Sequence, residues 1–211
     1  MGKGVLLEIC CGSADDVIIA SQSGADRVEL NSSLFLGGLT PTVGSLRVAK
    51  RAAKVPIMAM IRPRAGGFCY TDMEFETAVA DAALMMENGA DGLVFGFLRE
   101  DGTVDEDRVR ALAAISNGQP TVFHRALDVT PDWRRALETL IRLRVTRVLT
   151  SGQAPSAFYA METIAEMIRF VDGAIEILPG AGINLRNAAR LIAETGCTQI
   201  HLSRHRKQLD P

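Results

Sequence analysis

The sequence predicts a single (β/α)8, TIM-like barrel over residues 1–211, and three observations carry that prediction. Short apolar, β-branched runs alternate with longer amphipathic stretches from end to end. The starts of those runs recur about every 25–35 residues, the length of one βα unit. Gly24-Ala25-Asp26 and Gly89-Ala90-Asp91 repeat one helix-to-strand junction 65 residues apart, the span of two such units. Strict alternation implies right-handed parallel crossovers, and eight strands close into a filled barrel more readily than they stay open as a doubly wound sheet.

The strands read as Val5–Cys10, Asp26–Leu30, Pro56–Arg62, Gly92–Gly96, Pro120–Arg125, Arg147–Thr150, Ala174–Pro179 and Thr198–Leu202. Helix punctuation fills the gaps between them. Ser13, Thr71, Asp105 and Asn184 read as N-caps, and Thr71-Asp72-Met73-Glu74 as a capping box. Thr130-Pro131 places a proline at a first helical position. Gly24, Gly89 and Gly196 stand where helices stop and strands begin. After the eighth strand only Ser203 to Pro211 remain, so the eighth outer helix is expected to be short or absent. Either the chain is truncated there or a partner subunit covers the gap. Arg204-His205-Arg206-Lys207 reads as a solvated tail.

Composition supports an aliphatic core, with 47% hydrophobic and only 5% aromatic residues. The formal charge of −2 exerts no general pull toward nucleic acid or anionic lipid. No run reaches the roughly 18 apolar residues of a membrane span. The N-terminus enters the first strand without a signal-peptide pattern, and four cysteines (Cys10, Cys11, Cys69, Cys197) read as free thiols. The expected location is the cytoplasm.

Active sites of such barrels lie at the C-terminal ends of the strands. Period-two alternation puts Glu8 and Cys10 on one face of the first strand, and Glu29 and Asn31 on one face of the second. The third strand ends at Arg62-Pro63-Arg64, the fifth at His124-Arg125, and the eighth carries His201. Carboxylates, cations and histidines from five strands therefore converge on one rim. They serve either a structural network, with Glu8 and Glu29 neutralising Arg62 and Arg125, or a site. The turn Pro179-Gly180-Ala181-Gly182-Ile183-Asn184 could cradle a phosphate or carboxylate on its amides, with Ser151 and Gly152 adding donors. It is not a dinucleotide fingerprint, because Leu185 stands in place of the third glycine. Soft ligands near strand ends (Cys10, Cys11, Met58, Met60, His124, His201) would suit Cu(I), although no CxxC or HExxH motif is present.

Six stretches resemble the copper homeostasis protein CutC family. They are Gly24–Leu30, Gly37-Gly38-Leu39-Thr40-Pro41, Met60–Tyr70, Gly89–Gly96, Val122-Phe123-His124-Arg125-Ala126 and Leu149–Ala157. The resemblance covers nearly the whole chain. It implies a cytoplasmic TIM-like barrel, homo-oligomeric, with a role in copper tolerance and Cu(I) as its ligand. In the family, copper binding is linked to thiols at the ends of the first two strands. Cys10 matches the first, whereas Asn31 occupies the place of the second, and Ala181 replaces a glycine in the strand-seven turn.

Two functional readings follow. One is Cu(I) binding with Cys10 as principal ligand, assisted by His124 or His201. The other is an enzyme acting by acid/base chemistry on a small anionic or phosphorylated metabolite. There Glu8 or Glu29 would be the base, His124 the acid and Arg62 an anion clamp. Arg64, Arg125, Ser151, Gly152, Gly180, Gly182 and His201 would hold the substrate.

Overall fold

A computed structural model of the chain describes residues 4–203. Eight parallel strands form one sheet in the order β7-β6-β5-β4-β3-β2-β1-β8, curled into a barrel. They are β1 Leu6–Cys11, β2 Arg27–Leu30, β3 Ile57–Met60, β4 Gly92–Phe95, β5 Thr121–Phe123, β6 Arg147–Thr150, β7 Glu176–Pro179 and β8 Gln199–Ser203. Among the described residues seven α-helices alternate with them: α1 Ala14–Gln22, α2 Val43–Ala52, α3 Asp72–Glu87, α4 Glu106–Ile115, α5 Trp133–Arg142, α6 Met161–Val171 and α7 Ala188–Thr195. All eight predicted strands are present, although β3 and β5 end sooner than their apolar runs suggest. Whether an eighth helix follows β8, and what Arg204–Lys207 do, lies outside the described residues.

The repeated Gly-Ala-Asp junction works identically in both places. Each glycine takes a positive φ, +91° at Gly24 and +90° at Gly89, as a helix C-terminus commonly requires. The aspartate then reaches the preceding strand: Asp26 Oδ2 accepts from Leu7 N–H at 2.8 Å and Asp91 Oδ2 from Ile57 N–H at 2.7 Å. Each carboxylate thus occupies an amide at a strand start that no neighbour would otherwise satisfy.

Ser13, Thr71 and Asp105 cap their helices as expected, and the Thr71–Glu74 capping box is complete. Two assignments are corrected. Asp132, which accepts from Arg134 and Arg135 N–H, caps α5, so Pro131 lies before the cap and not in the first turn. Asn184 closes a separate turn, its Oδ1 accepting from Arg186 N–H, and α7 begins only at Ala188. At α5 the polar residue nearer the helix takes the role, whereas at α7 Asn187 makes no side-chain cap and instead accepts from Asn184 N–H. Along α5, Trp133, Ala136, Leu137 and Leu140 are buried at helical spacing while Arg134 and Arg135 face out.

Alternation along the strands sorts two cores. Outward residues such as Val28, Ile57, Leu93, Phe123 and Ile177 pack under the helices. Inside the barrel, Met58, Met60, Val94, Val122, Leu149 and Leu178 form a separate apolar cluster. Around this cluster the interior is polar. Glu176 pairs with Arg147, Gln199 Nε2 donates to Glu176 Oε2 at 3.1 Å, and Arg27 Nη2 donates to Gln199 Oε1 at 2.9 Å. Arg27 also pairs with Glu8, and the other Glu8 oxygen meets His201 Nδ1 at 2.8 Å. The Gln199–Glu176 contact bridges β8 and β7, where the ring closes without a recorded ladder among the described residues.

Burial alone would push the Glu8 carboxyl up, but His201 and Arg27 outweigh it and hold it at about 2. Because the folded value lies below the unfolded one, Glu8 contributes stability above pH 4.5 that is lost as pH falls toward 2. Two predictions follow from this packing. Glu8→Gln should cost about 3–5 kcal/mol at pH 7 by urea unfolding, and the gap from wild type should narrow between pH 4.5 and 2. A gap constant across that window would show that Glu8 is not held as an anion. Gly92→Ala should cost about 1–3 kcal/mol in the same assay, because a Cβ there meets the Pro120 carbonyl and the Met58 side chain.

Candidate functional site

The C-terminal ends of the strands open into a cavity of about 710 Å3. Its walls come from β1 (Cys10), β2 (Glu29), β3 (Met60) and β8 (His201), from Arg62 and His124 just past the ends of β3 and β5, and from Phe68 and the Gly182–Asn184 turn above them. Parallel strands bring these residues together because each lies at or just beyond the same end of the barrel.

Cys10, Glu29 and His201 form the tightest group. One donor atom from each lies within 4.8 Å of the others. The register accounts for this: Cys10 is opposite Glu29 on β2, and on the other side Glu8 is opposite His201. Cys10 Sγ is 3.6 Å from Glu29 Oε2, and Asn31 Nδ2 donates both to that oxygen at 2.8 Å and to Cys10 Sγ at 3.4 Å. Burial pushes the Cys10 thiol up to about 11, although a hydrogen bond from His201 opposes the shift. Burial also raises Glu29, whose Oε1 has no partner. His201 is raised well above its ordinary value: desolvation works against its charge, but contacts with Cys10, Glu8 and Glu29 prevail. With Nδ1 engaged by Glu8, His201 presents Nε2.

A second group lies on the β3–β5 side. Arg62 is buried, and its guanidinium is held by carbonyls: Nη1 donates to Leu36 O at 3.1 Å and Gly38 O at 2.9 Å, Nη2 to Gly66 O at 2.8 Å. Among the described residues no carboxylate pairs with it, and its Nε–H has no partner. His124 Nδ1 accepts from Ala126 N–H at 3.2 Å, which assigns the ring proton to Nε2, also unpartnered. Burial, reinforced by the charge of Arg62, lowers His124 to about 3, so the ring is neutral at physiological pH. Phe68 braces both, 5.3 Å from the Arg62 guanidinium carbon and 4.8 Å from the His124 ring.

The other predicted residues are placed differently. Glu8 does not line the cavity; it lies one layer below, with Arg27 and His201. The expected pairing of Glu8 and Glu29 with Arg62 and Arg125 does not occur. Arg125 lines the mouth but is engaged by Asp128 at 2.8 Å and by Ser151 Oγ at 3.0 Å. Arg64 is turned out of the cavity toward Glu74, at 2.5 Å, and toward the carbonyls of its own loop. Ser151 is consumed by Asp128 and the Ala154 carbonyl, and Gly152 faces the start of α6, where a Cβ would meet Ala160 just before the helix and Ile164 within it. Gly180 lies against Leu149 and His201 inside the barrel. Gly182 does line the cavity, and so does Ala181, held at φ +72°, a conformation that costs a residue with a Cβ.

Phe68 and the carbonyls that clamp Arg62 were not singled out by sequence reasoning. Phe68 is the one aromatic in Ala65-Gly66-Gly67-Phe68-Cys69, a loop that leaves the strand end, and that setting was the available signal. Nothing local announces the carbonyls of Leu36 and Gly38.

The same architecture is found in known proteins. The model of the CutC family matches residues 5–206. A Treponema denticola family protein CutC is 51% identical over 209 residues, covering 99% of this chain and 85% of that protein. The human copper homeostasis protein cutC homolog is 44% identical over 201 residues, covering 95% and 74%. The crystal structure of a CutC copper homeostasis protein from Streptococcus agalactiae superimposes with a TM-score of 0.89 at 30% identity, covering 93% of this chain and 97% of that one. More distant barrels, such as the aldolase QR15 with a TM-score of 0.68 at 14% identity, share the fold alone. From strand ends to overall path, this chain belongs to the CutC family.

Proposed function

We propose that this protein takes part in copper homeostasis by binding Cu(I) as cargo at Cys10 and His201, with Glu29 as a third donor. The observation that carries this reading is the convergence of thiol, imidazole and carboxylate atoms within 4.8 Å at the floor of an open cavity. A thiolate selects soft ions, and imidazole suits copper as well. The Glu8 carboxylate on His201 Nδ1 supports it further, since metal-ligating histidines almost always carry such a partner on the second nitrogen. Relatives named copper homeostasis proteins point to copper as the ion. Asn31, in the position of the family's second cysteine, contributes a hydrogen bond to Cys10 Sγ, which would steady a thiolate in place of adding another.

The four cysteines are free, which suits a reducing compartment, and the described residues contain no helix long and apolar enough to cross a membrane. We place the protein in the cytoplasm, as one domain that forms homo-oligomers.

Competition against a colorimetric Cu(I) chelator, under anaerobic reducing conditions, tests this reading. Cys10→Ser should abolish tight binding, Glu8→Gln should weaken it about 10–100-fold through His201, and Cys69→Ser at the exposed thiol should leave it unchanged. Affinity no better than that of an unrelated protein with four free thiols would end the proposal. Because burial holds the Cys10 proton up to about pH 11, Cu(I) must displace it. Binding should therefore release protons and tighten as pH rises, measured as a buffer-dependent heat in calorimetry. A heat identical in buffers of different ionisation enthalpy would contradict this.

A further inference from the structure

A metal ion at Cys10 and His201 leaves the opposite wall of the cavity without a task. Three polar atoms there are deeply buried yet have no partner: Arg62 Nε, His124 Nε2 and, toward the metal side, Glu29 Oε1. Their residues are 7%, 4% and 2% exposed, and all three line the 710 Å3 cavity. Buried polar groups are ordinarily satisfied, and three orphans on residues that line one space mark it as a ligand site. We propose that this wall is a second binding site, for a small hydroxycarboxylate, with the carboxylate on Arg62 and His124 and a hydroxyl toward Glu29.

The donor set decides the chemical class. Arg62 carries a full charge that no side chain among the described residues neutralises, and carbonyls from two loops hold its guanidinium, Leu36 and Gly38 on Nη1 and Gly66 on Nη2. Its Nη2 spends one of two hydrogens on Gly66 O and Nε spends none, so two donors of the guanidinium remain. A guanidinium with free N–H groups recognises a carboxylate. His124, kept neutral with its proton on Nε2, adds a donor without adding charge. On this wall Arg62 is then the one charged donor, which suits a monoanion better than a phosphate dianion. Glu29 Oε1 is an orphan of the opposite kind: as a carboxylate it accepts a hydrogen bond, and a ligand hydroxyl supplies one. Phe68 lies against both Arg62 and His124 and walls them from water, which strengthens both contacts. The volume accommodates a molecule well beyond a single ion.

Glycolate is the simplest probe with both groups, and glycolamide is its uncharged counterpart. By calorimetry and by the NMR signals of the Arg62 Nε–H and the His124 Nε2–H, glycolate should bind saturably in the millimolar range and shift both signals. Glycolamide should bind at least about tenfold more weakly, as loss of a charged hydrogen bond predicts, and inorganic phosphate should also be weaker than glycolate. Arg62→Lys should weaken glycolate by about 10–100-fold. Should that variant fail to fold, because Arg62 ties two loops together, the comparison of glycolate with glycolamide on the wild type decides alone. In Cys10→Ser, glycolate binding should persist, which separates this site from the copper proposal. Equal binding of glycolate and glycolamide, tighter binding of phosphate, the absence of saturable binding, or loss in Cys10→Ser would each overturn it.

Discussion

A carboxylate inside the barrel, Glu8, governs how the interior is arranged. It is buried, its two oxygens are divided between Arg27 and His201, and each partner belongs to a neighbouring strand in register with it. An ion in that position is costly unless paired on every side. The pairing in turn requires β2, β1 and β8 to hold their mutual stagger, since a slip of one residue would turn Glu8 outward and leave two cations inside. The ionic column therefore does what an apolar interior could not, by penalising alternative registers of the strands around the closure of the ring. It also sets the chemistry above it, because the imidazole that Glu8 orients belongs to the metal-type cluster.

The column runs the length of the barrel. It begins at Glu176 and Arg147 at the starts of their strands, continues through Gln199 and Arg27, and ends at His201 beside Cys10. Filling a barrel with paired charge on one side and methionine and leucine on the other yields two unlike halves. The apolar half, Met58 to Leu178, supports the cavity floor below Arg62 and His124. The polar half supports Cys10, Glu29 and His201. One mouth thus has two walls of different chemistry, and both follow from which strands carry charge at their inward positions.

Much of this was legible in the residues. Apolar runs at regular spacing located the strands, and alternation put Glu8 with Cys10 and Glu29 with Asn31 on shared inward faces. The same rule applied two positions earlier places Arg27 below Glu29, and Arg147 below Leu149. The ionic column is therefore within reach of the sequence, since the inward positions near the strand starts carry its charges. Other features were not legible. Arg64 and Arg125 resemble Arg62 in the sequence, yet Glu74 and Asp128 claim them, and which arginine keeps its charge free depends on loops that only folding brings near. Ser151 and Gly152 look like phosphate donors but serve Asp128 and the packing of α6. Backbone carbonyls carry no signature at all, so the clamp on Arg62 could not be read in advance.

The way Arg62 is held separates a structural cation from a functional one. A charge that only stabilises a fold is best paired with a carboxylate, as Arg27 and Arg147 are. Carbonyl dipoles instead immobilise the guanidinium while leaving its net charge to act on whatever enters the cavity. His124 follows the same logic, since an amide N–H on Nδ1 fixes the tautomer and burial, reinforced by the nearby cation, keeps the ring neutral. Both side chains are oriented by backbone and spend no counter-charge in the process. Glu29 lines the same cavity, and its Oε2 lies 3.6 Å from the Cys10 thiol. An ion seated at Cys10 would draw on Glu29 as a ligand, and an organic anion on Arg62 would draw on its other oxygen. Under the two proposals Glu29 is the residue that the ion and the organic anion would share.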